Sequence, residues 1–91
     1  MSTVRIPPVL RSSTGGAKQV AVAGTTVGEA LEALVGAYPA LRAQLFGADG
    51  QLNRFVNIYV NDTDVRHLQD VATPIAERDT IVLLPAMAGG R

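Results

Sequence analysis

A threonine stands three residues ahead of a glutamate, at the head of a run whose apolar residues recur at helical spacing. This pair, Thr26 and Glu29, is the capping-box arrangement, in which each side chain satisfies a helix N–H group that would otherwise lack a partner. A helix is therefore expected to begin at Val27. Val27, Ala30, Leu31, Leu34, Val35 and Tyr38 fall on one stripe, while Glu29, Glu32 and Ala33 fall elsewhere. Pro39 disfavours helical geometry at Tyr38 and stops the helix, yet proline suits the first position of another, so residues 39–46 read as a second, short helix.

A helix with one apolar stripe must bury it, and the flanking segments read as the strands that accept it. Phe55-Val56-Asn57-Ile58-Tyr59-Val60 alternates cleanly and places Val56, Ile58 and Val60 toward the core. Phe55, Asn57 and Tyr59 then face outward, where the two aromatics either form a partner-binding patch or cover a minor core. Asn61 to Asp64 is expected to turn the chain, with Val65 and Arg66 beginning a short return strand. Thr80 to Leu84 is apolar nearly throughout, as a central strand is. Upstream, Val4, Ile6, Val9 and Leu10 make an apolar stretch broken by Pro7 and Pro8. The turn formers at 11–16 lead into Lys18 to Val22, in which Val20 and Val22 share a face, so this region reads as an opening hairpin. Residues 67–77 lack useful periodicity. Strands on both sides of one helix, in a chain of 91 residues, point to a single α+β domain with the helix across one sheet face.

Composition removes most chemistries. Eight Lys plus Arg balance eight Asp plus Glu, so no net positive field gathers phosphates and nucleic acid is not an expected partner. The absence of cysteine excludes a disulfide scaffold, thiolate metal sites, a cysteine nucleophile and a persulfide carried on this chain. His67 alone cannot supply a multi-histidine metal site, and no serine stands in a nucleophile elbow. Asp62 and Asp64 alternate as calcium ligands can, but the remaining positions of such a loop are missing and an Asx-type turn explains them. Gly15-Gly16-Ala17-Lys18 lacks Walker A spacing and reads as a hairpin turn. Arg54 and Arg66 flank the third strand, either to pair with a partner's acidic residues or simply as solvated charges. No apolar run approaches the ~20 residues of a membrane span and no signal peptide is recognisable, so a cytoplasmic protein that does not bind membranes is expected.

What remains is the segment Pro85-Ala86-Met87-Ala88-Gly89-Gly90-Arg91. Its small residues cannot build a packed element, which leaves a frayed terminus or a handle for another protein. Glycine lacks a β-carbon, so a Gly-Gly end can thread a narrow active site. Fully extended, residues 85–90 reach roughly 20 Å. The reactive group of such a handle would be a carboxylate, a poor electrophile that a partner must first activate, most simply as an acyl-adenylate formed with ATP.

The helix start from Thr26 to Leu34, the segment from Phe55 to Arg66, and Leu83-Leu84-Pro85-Ala86-Met87-Ala88-Gly89-Gly90 together resemble the MoaD/ThiS family of ubiquitin-like sulfur carriers over nearly the whole chain. Ile6-Pro7-Pro8-Val9-Leu10-Arg11, Thr14-Gly15-Gly16 and the Arg54 to Arg66 segment are most similar to its actinobacterial CysO type. The resemblance implies a β-grasp fold at 1–84, with a mixed sheet of four to five strands and one main helix, and a flexible diglycine tail at 85–91. It implies a carrier that is not itself an enzyme. Gly90 would be adenylated by an E1-like enzyme and converted to a thiocarboxylate, with Gly89, Ala88 and Met87 as the threading tail and Phe55 and Tyr59 as partner contacts. The sulfur would pass to a PLP-dependent or other synthase, in the CysO type forming cysteine on the carrier until a zinc metallopeptidase releases it. ATP, PLP and zinc would thus belong to partners, and this chain would bind no cofactor or metal. The small subunit of molybdopterin synthase and a ubiquitin-like protein modifier use the same tail and stay open as alternatives. One departure stands out: Arg91 follows the diglycine and places the Gly90 carboxyl in a peptide bond, so a peptidase is expected to remove it if it is not a cloning residue.

Overall fold

In a computed structural model that describes residues 1–47, 53 and 56–85, helix α1 runs from Val27 to Ala37. Thr26 is extended, and its Oγ1 accepts the Glu29 N–H at 3.2 Å, as the cap requires. The reciprocal half lands one residue earlier than expected. Glu29 Oε1 accepts from the N–H and the hydroxyl of Thr25, at 2.8 and 2.9 Å. The cause lies in the stretch without periodicity: Thr26 forms a β-bridge with Pro74, with the Val27 N–H donating to the Thr73 carbonyl and the Ile75 N–H to the Thr25 carbonyl, both at 3.0 Å. This pairing holds residues 25–27 extended and turns Thr25 toward the carboxylate. Just before it, Gly24 has φ +145°, and a Cβ there would meet the Ala30 nitrogen at 2.8 Å, so the chain can enter the helix this tightly only through glycine.

The stripe of α1 packs as its spacing predicts, with Val27, Ala30, Leu31, Leu34 and Val35 buried and Tyr38 packed against the same core. The second helix is shorter than expected: Pro39–Leu41 is a 3-10 turn and α2 spans Arg42–Leu45. It still delivers Leu41 and Leu45 to the core.

Five strands form one mixed sheet: β1 Ser2–Arg5, β2 Gln19–Val22, β3 Val56–Val60, β4 Thr63–Asp64 and β5 Thr80–Pro85, in the order β2-β1-β5-β3-β4. β1 and β5 are parallel, and the other pairs are antiparallel. Alternation sends Val4, Val22, Val56, Ile58, Val60, Ile81 and Leu83 to the core shared with α1. The mixed sheet and single main helix match the expected architecture.

Two expectations about the strands are corrected. The opening strand stops at Arg5, and Val9 and Leu10 lie in a 3-10 helix over Pro8–Thr14. Two consecutive prolines supply no N–H to continue a ladder; the helix they start buries Leu10 and leaves Val9 59% exposed. Its exit is a tight turn at Gly15 and Gly16, both at positive φ, tied by the Thr14 hydroxyl to the carbonyls of Arg11 and Ala17. The return strand is Thr63–Asp64, opposite Val60 and Tyr59, and not Val65-Arg66. Asp64 Oδ1 accepts the Arg66 N–H at 2.9 Å and starts a 3-10 turn at Val65–His67, which drops Val65 into the core.

Ile58 is 1% exposed on β3, which is flanked by β5 and β4. Ile58→Ala should therefore lower the free energy of unfolding by about 2–5 kcal/mol in a urea titration, the range for truncating a buried aliphatic side chain. A variant with parental stability would contradict this assignment of the strand's faces.

Candidate functional site

The face of the sheet away from α1 carries the residues that alternate outward. Register places Asn57 opposite Leu84, and Tyr59 opposite Val82 and Asp64, while Arg5 of β1 stands beside Val82 on the other side of β5. Asn57, Tyr59 and Val82 are half-buried, and Leu84 is 44% exposed. The last described residue, Pro85, is still in register with Val56.

Tyr59 is thus on the outward face as expected. Phe55, Arg54, Met87, Ala88, Gly89, Gly90 and Arg91 lie outside the described residues. Arg66 keeps a side chain that is 59% exposed and is nevertheless held in place. Its guanidinium bonds both carboxylate oxygens of Asp64 and the side-chain carbonyl of Asn57, which fixes it across the β3–β4 pair. The hydrogen bonds from Arg66, side chain first and then backbone, hold the Asp64 carboxyl below its ordinary value of 3.8. Reciprocally, Asp64 raises the Arg66 guanidinium, with smaller electrostatic contributions from Tyr59 and Asp70. The Asx-type role expected of Asp64 is therefore present, with the arginine added. His67 is exposed at the end of its 3-10 turn. Among the described residues, no group of three His, Asp or Glu side chains could hold a metal ion.

A feature the sequence reading missed lies where β1 and β5 end. A groove of about 380 Å³ opens between the Ile6-Pro7-Pro8 corner and the Val82–Leu84 end of β5. Arg5, Arg11 and Lys18 line it together. The net charge of zero concealed this cluster, although a signal was available: residues 1–28 contain three basic residues and no acidic one, whereas residues 29–91 contain five basic and eight acidic. Chemically, the surface offers fixed donors and apolar contact area.

Comparison with known proteins gives a consistent picture. The sequence model of the ThiS family matches residues 4–90. The sulfur carrier protein CysO of Mycobacterium tuberculosis is 47% identical over 90 residues, covering 97% of each chain. A chain in the crystal structure of the Amycolatopsis orientalis BexX/CysO complex superposes with a TM-score of 0.90 at 40% identity, covering 99% of this chain and 100% of that one. Small archaeal modifier protein 1 of Haloferax volcanii is 40% identical over 65 residues, covering 71% of this chain and 70% of the relative. These likenesses bear out the β-grasp architecture.

The Asp64–Arg66 pair makes a prediction with a defined sign. A carboxyl held low in the folded state contributes stability that is complete above its ordinary value and is lost as pH falls through the lower folded value. In an NMR titration Asp64 should therefore titrate below 3.8, and Arg66→Gln should move it upward. The stability difference between parent and variant should shrink as pH falls through the parent's folded-state value. An Asp64 titration unmoved by Arg66→Gln would contradict the pairing.

Proposed function

The chain belongs to the ThiS family of ubiquitin-like sulfur carriers, and from that membership we propose that it carries sulfur on the carboxyl of Gly90. The observation that carries this reading is the extent of the family match, which runs from Val4 in β1 to Gly90 and leaves out Arg91. The protein acts as a substrate of other enzymes, as family membership supports.

In the proposed cycle an E1-like enzyme binds ATP, and a Gly90 carboxylate oxygen attacks the α-phosphorus with release of pyrophosphate. A sulfide nucleophile then displaces AMP from the acyl-adenylate, leaving a thiocarboxylate with no net change of oxidation state. A synthase, PLP-dependent or of another kind, accepts the sulfur for cysteine or a sulfur-containing metabolite; likeness to the mycobacterial carrier named CysO favours cysteine. ATP, PLP and zinc reside in these partners. Residues 1–84 form the recognised domain and 85–91 the tail, which is threaded after Arg91 has been removed. The setting is cytoplasmic; among the described residues no helix is long and apolar enough to cross a membrane. A second reading, attachment of Gly90 to lysine side chains, is favoured by the likeness to the archaeal modifier protein. It shares the adenylation step and differs in the acceptor.

Arg91 supplies one test. Attack on ATP depends on near-attack geometry that a misplacement of about 1 Å spoils. Any residue after Gly90 both displaces the carboxylate and pushes a side chain into a passage shaped for glycine. A peptidase, expected to be a metallopeptidase, would therefore act first. Forms ending at Arg91 and at Gly90 should be incubated with the E1-like enzyme, ATP and sulfide without peptidase. The Gly90 form alone should gain the mass difference between sulfur and oxygen; equal conversion with arginine retained would overturn the processing step.

Two aromatics supply another. If Tyr59 and Phe55 anchor the activating enzyme, truncating either to alanine should lower adenylation about tenfold while leaving the fold intact, because buried aromatic anchors concentrate binding energy. Adenylation at the parental rate in both variants would remove the patch from the interface.

A further inference from the structure

The protein is electrically neutral as a whole but polar along β5. At the start of the strand stand Asp62, Glu77 and Asp79, with Asp79 Oδ1 accepting from the Asn61 amide that also bonds Thr80. At its far end, about 16 Å away along an extended strand, Arg5, Arg11 and Lys18 surround the groove beside Leu84. Among the described residues the two ion pairs are Arg42–Glu32 and Arg66–Asp64, so none of the groove's cations is neutralised by the fold. Arg5 and Lys18 are exposed, whereas Arg11 is half-buried and donates its Nε–H to the Ile6 carbonyl at 3.1 Å.

We propose that this cationic groove docks an acidic rim around the entrance through which the activating enzyme receives the tail, with Leu84 and Val82 as the apolar contact inside the ring of charge. The inference rests on the sulfur-carrier reading and names the surface chemistry that the partner must present. Two observations point to this occupant. The chain leaves β5 at Pro85, next to the groove, and an extended segment to Gly90 spans roughly 20 Å. Any enzyme that holds Gly90 in its active site must therefore lie against this end of the sheet. Three unneutralised cations there attract a surface bearing Asp and Glu and repel a basic one. Because the opposite end is acidic, the same partner also turns the carrier so that the tail leads. Such complementarity acts mainly on the rate and specificity of encounter.

The test compares two double variants of the Gly90 form that remove equal charge. Arg5→Gln with Lys18→Gln strips the groove and leaves Arg11 in its hydrogen bond; Arg42→Gln with Arg78→Gln removes the same charge elsewhere. With the E1-like enzyme at low ionic strength, pyrophosphate release should show KM raised about tenfold for the groove variant, with kcat unchanged, and KM near parental for the control. Near 1 M salt, where the screening length falls to about 3 Å, the groove variant and the parent should converge. Equal KM values for parent and groove variant at low salt, or equal increases in both variants, would overturn the groove's role. A concentration-dependent self-association abolished in the groove variant, with its KM unchanged, would overturn it in favour of a second copy's acidic end. Failure of the sulfur-carrier reading has a different signature, since then the parent itself would release no pyrophosphate.

Discussion

The parallel pairing of β1 with β5 organises this protein. Thr3, Val4 and Arg5 lie against Thr80, Ile81 and Val82, which joins residues nearly eighty positions apart and closes the largest loop in the chain. The cost of that closure grows only logarithmically with loop length, and the pairing is reinforced at its start by Thr3 N–H to the Asp79 carbonyl and by the Ser2 hydroxyl to the Ala76 carbonyl. Because the two strands run the same way, the exit of β5 lies beside the exit of β1. This one constraint sets Leu84 beside the groove lined by Arg5 and the proline corner.

Both faces of the sheet follow from that pairing. The inner face takes the stripe of α1 and is joined in the core by Leu41 and Leu45. The outer face holds Tyr59 and the Arg66 clamp on one side of β5 and the cationic groove on the other. Fixing Arg66 to Asp64 and Asn57 before any partner arrives reduces the ordering cost of contact there. Arg5 and Lys18, in contrast, stay solvated and suit the earlier, long-range stage of approach.

Periodicity made the helix and the faces of β3 legible in the sequence, and the nearly unbroken apolar run of Thr80 to Leu84 marked β5 as a central strand without assigning its faces. The diglycine Gly89-Gly90 pointed to a chemistry only through the resemblance of the surrounding segments to sulfur carriers, since composition by itself left a frayed terminus equally open. What escaped had no side-chain pattern. The brace from Thr73 to Ile75 against Thr25 to Val27 consists of backbone hydrogen bonds, and the two residues of β4 are too few to alternate. The double proline was read correctly as an interruption, but the 3-10 helix that follows draws on tertiary burial of Leu10. The groove brings together residues 5, 11 and 18 with 82–84, a juxtaposition that only the β1–β5 pairing creates, and a whole-chain charge balance averages it away.

The central claim is that sulfur travels on the carboxyl of Gly90. The most direct measurement is the intact mass, with fragmentation of the C-terminal peptide, of this protein recovered under non-reducing, low-temperature conditions from the organism that makes it. The account predicts a population that ends at Gly90 and carries sulfur in place of one carboxyl oxygen. A population that retains Arg91 with an ordinary carboxylate, or one found with Gly90 in amide linkage to lysine and never as a thiocarboxylate, would contradict it.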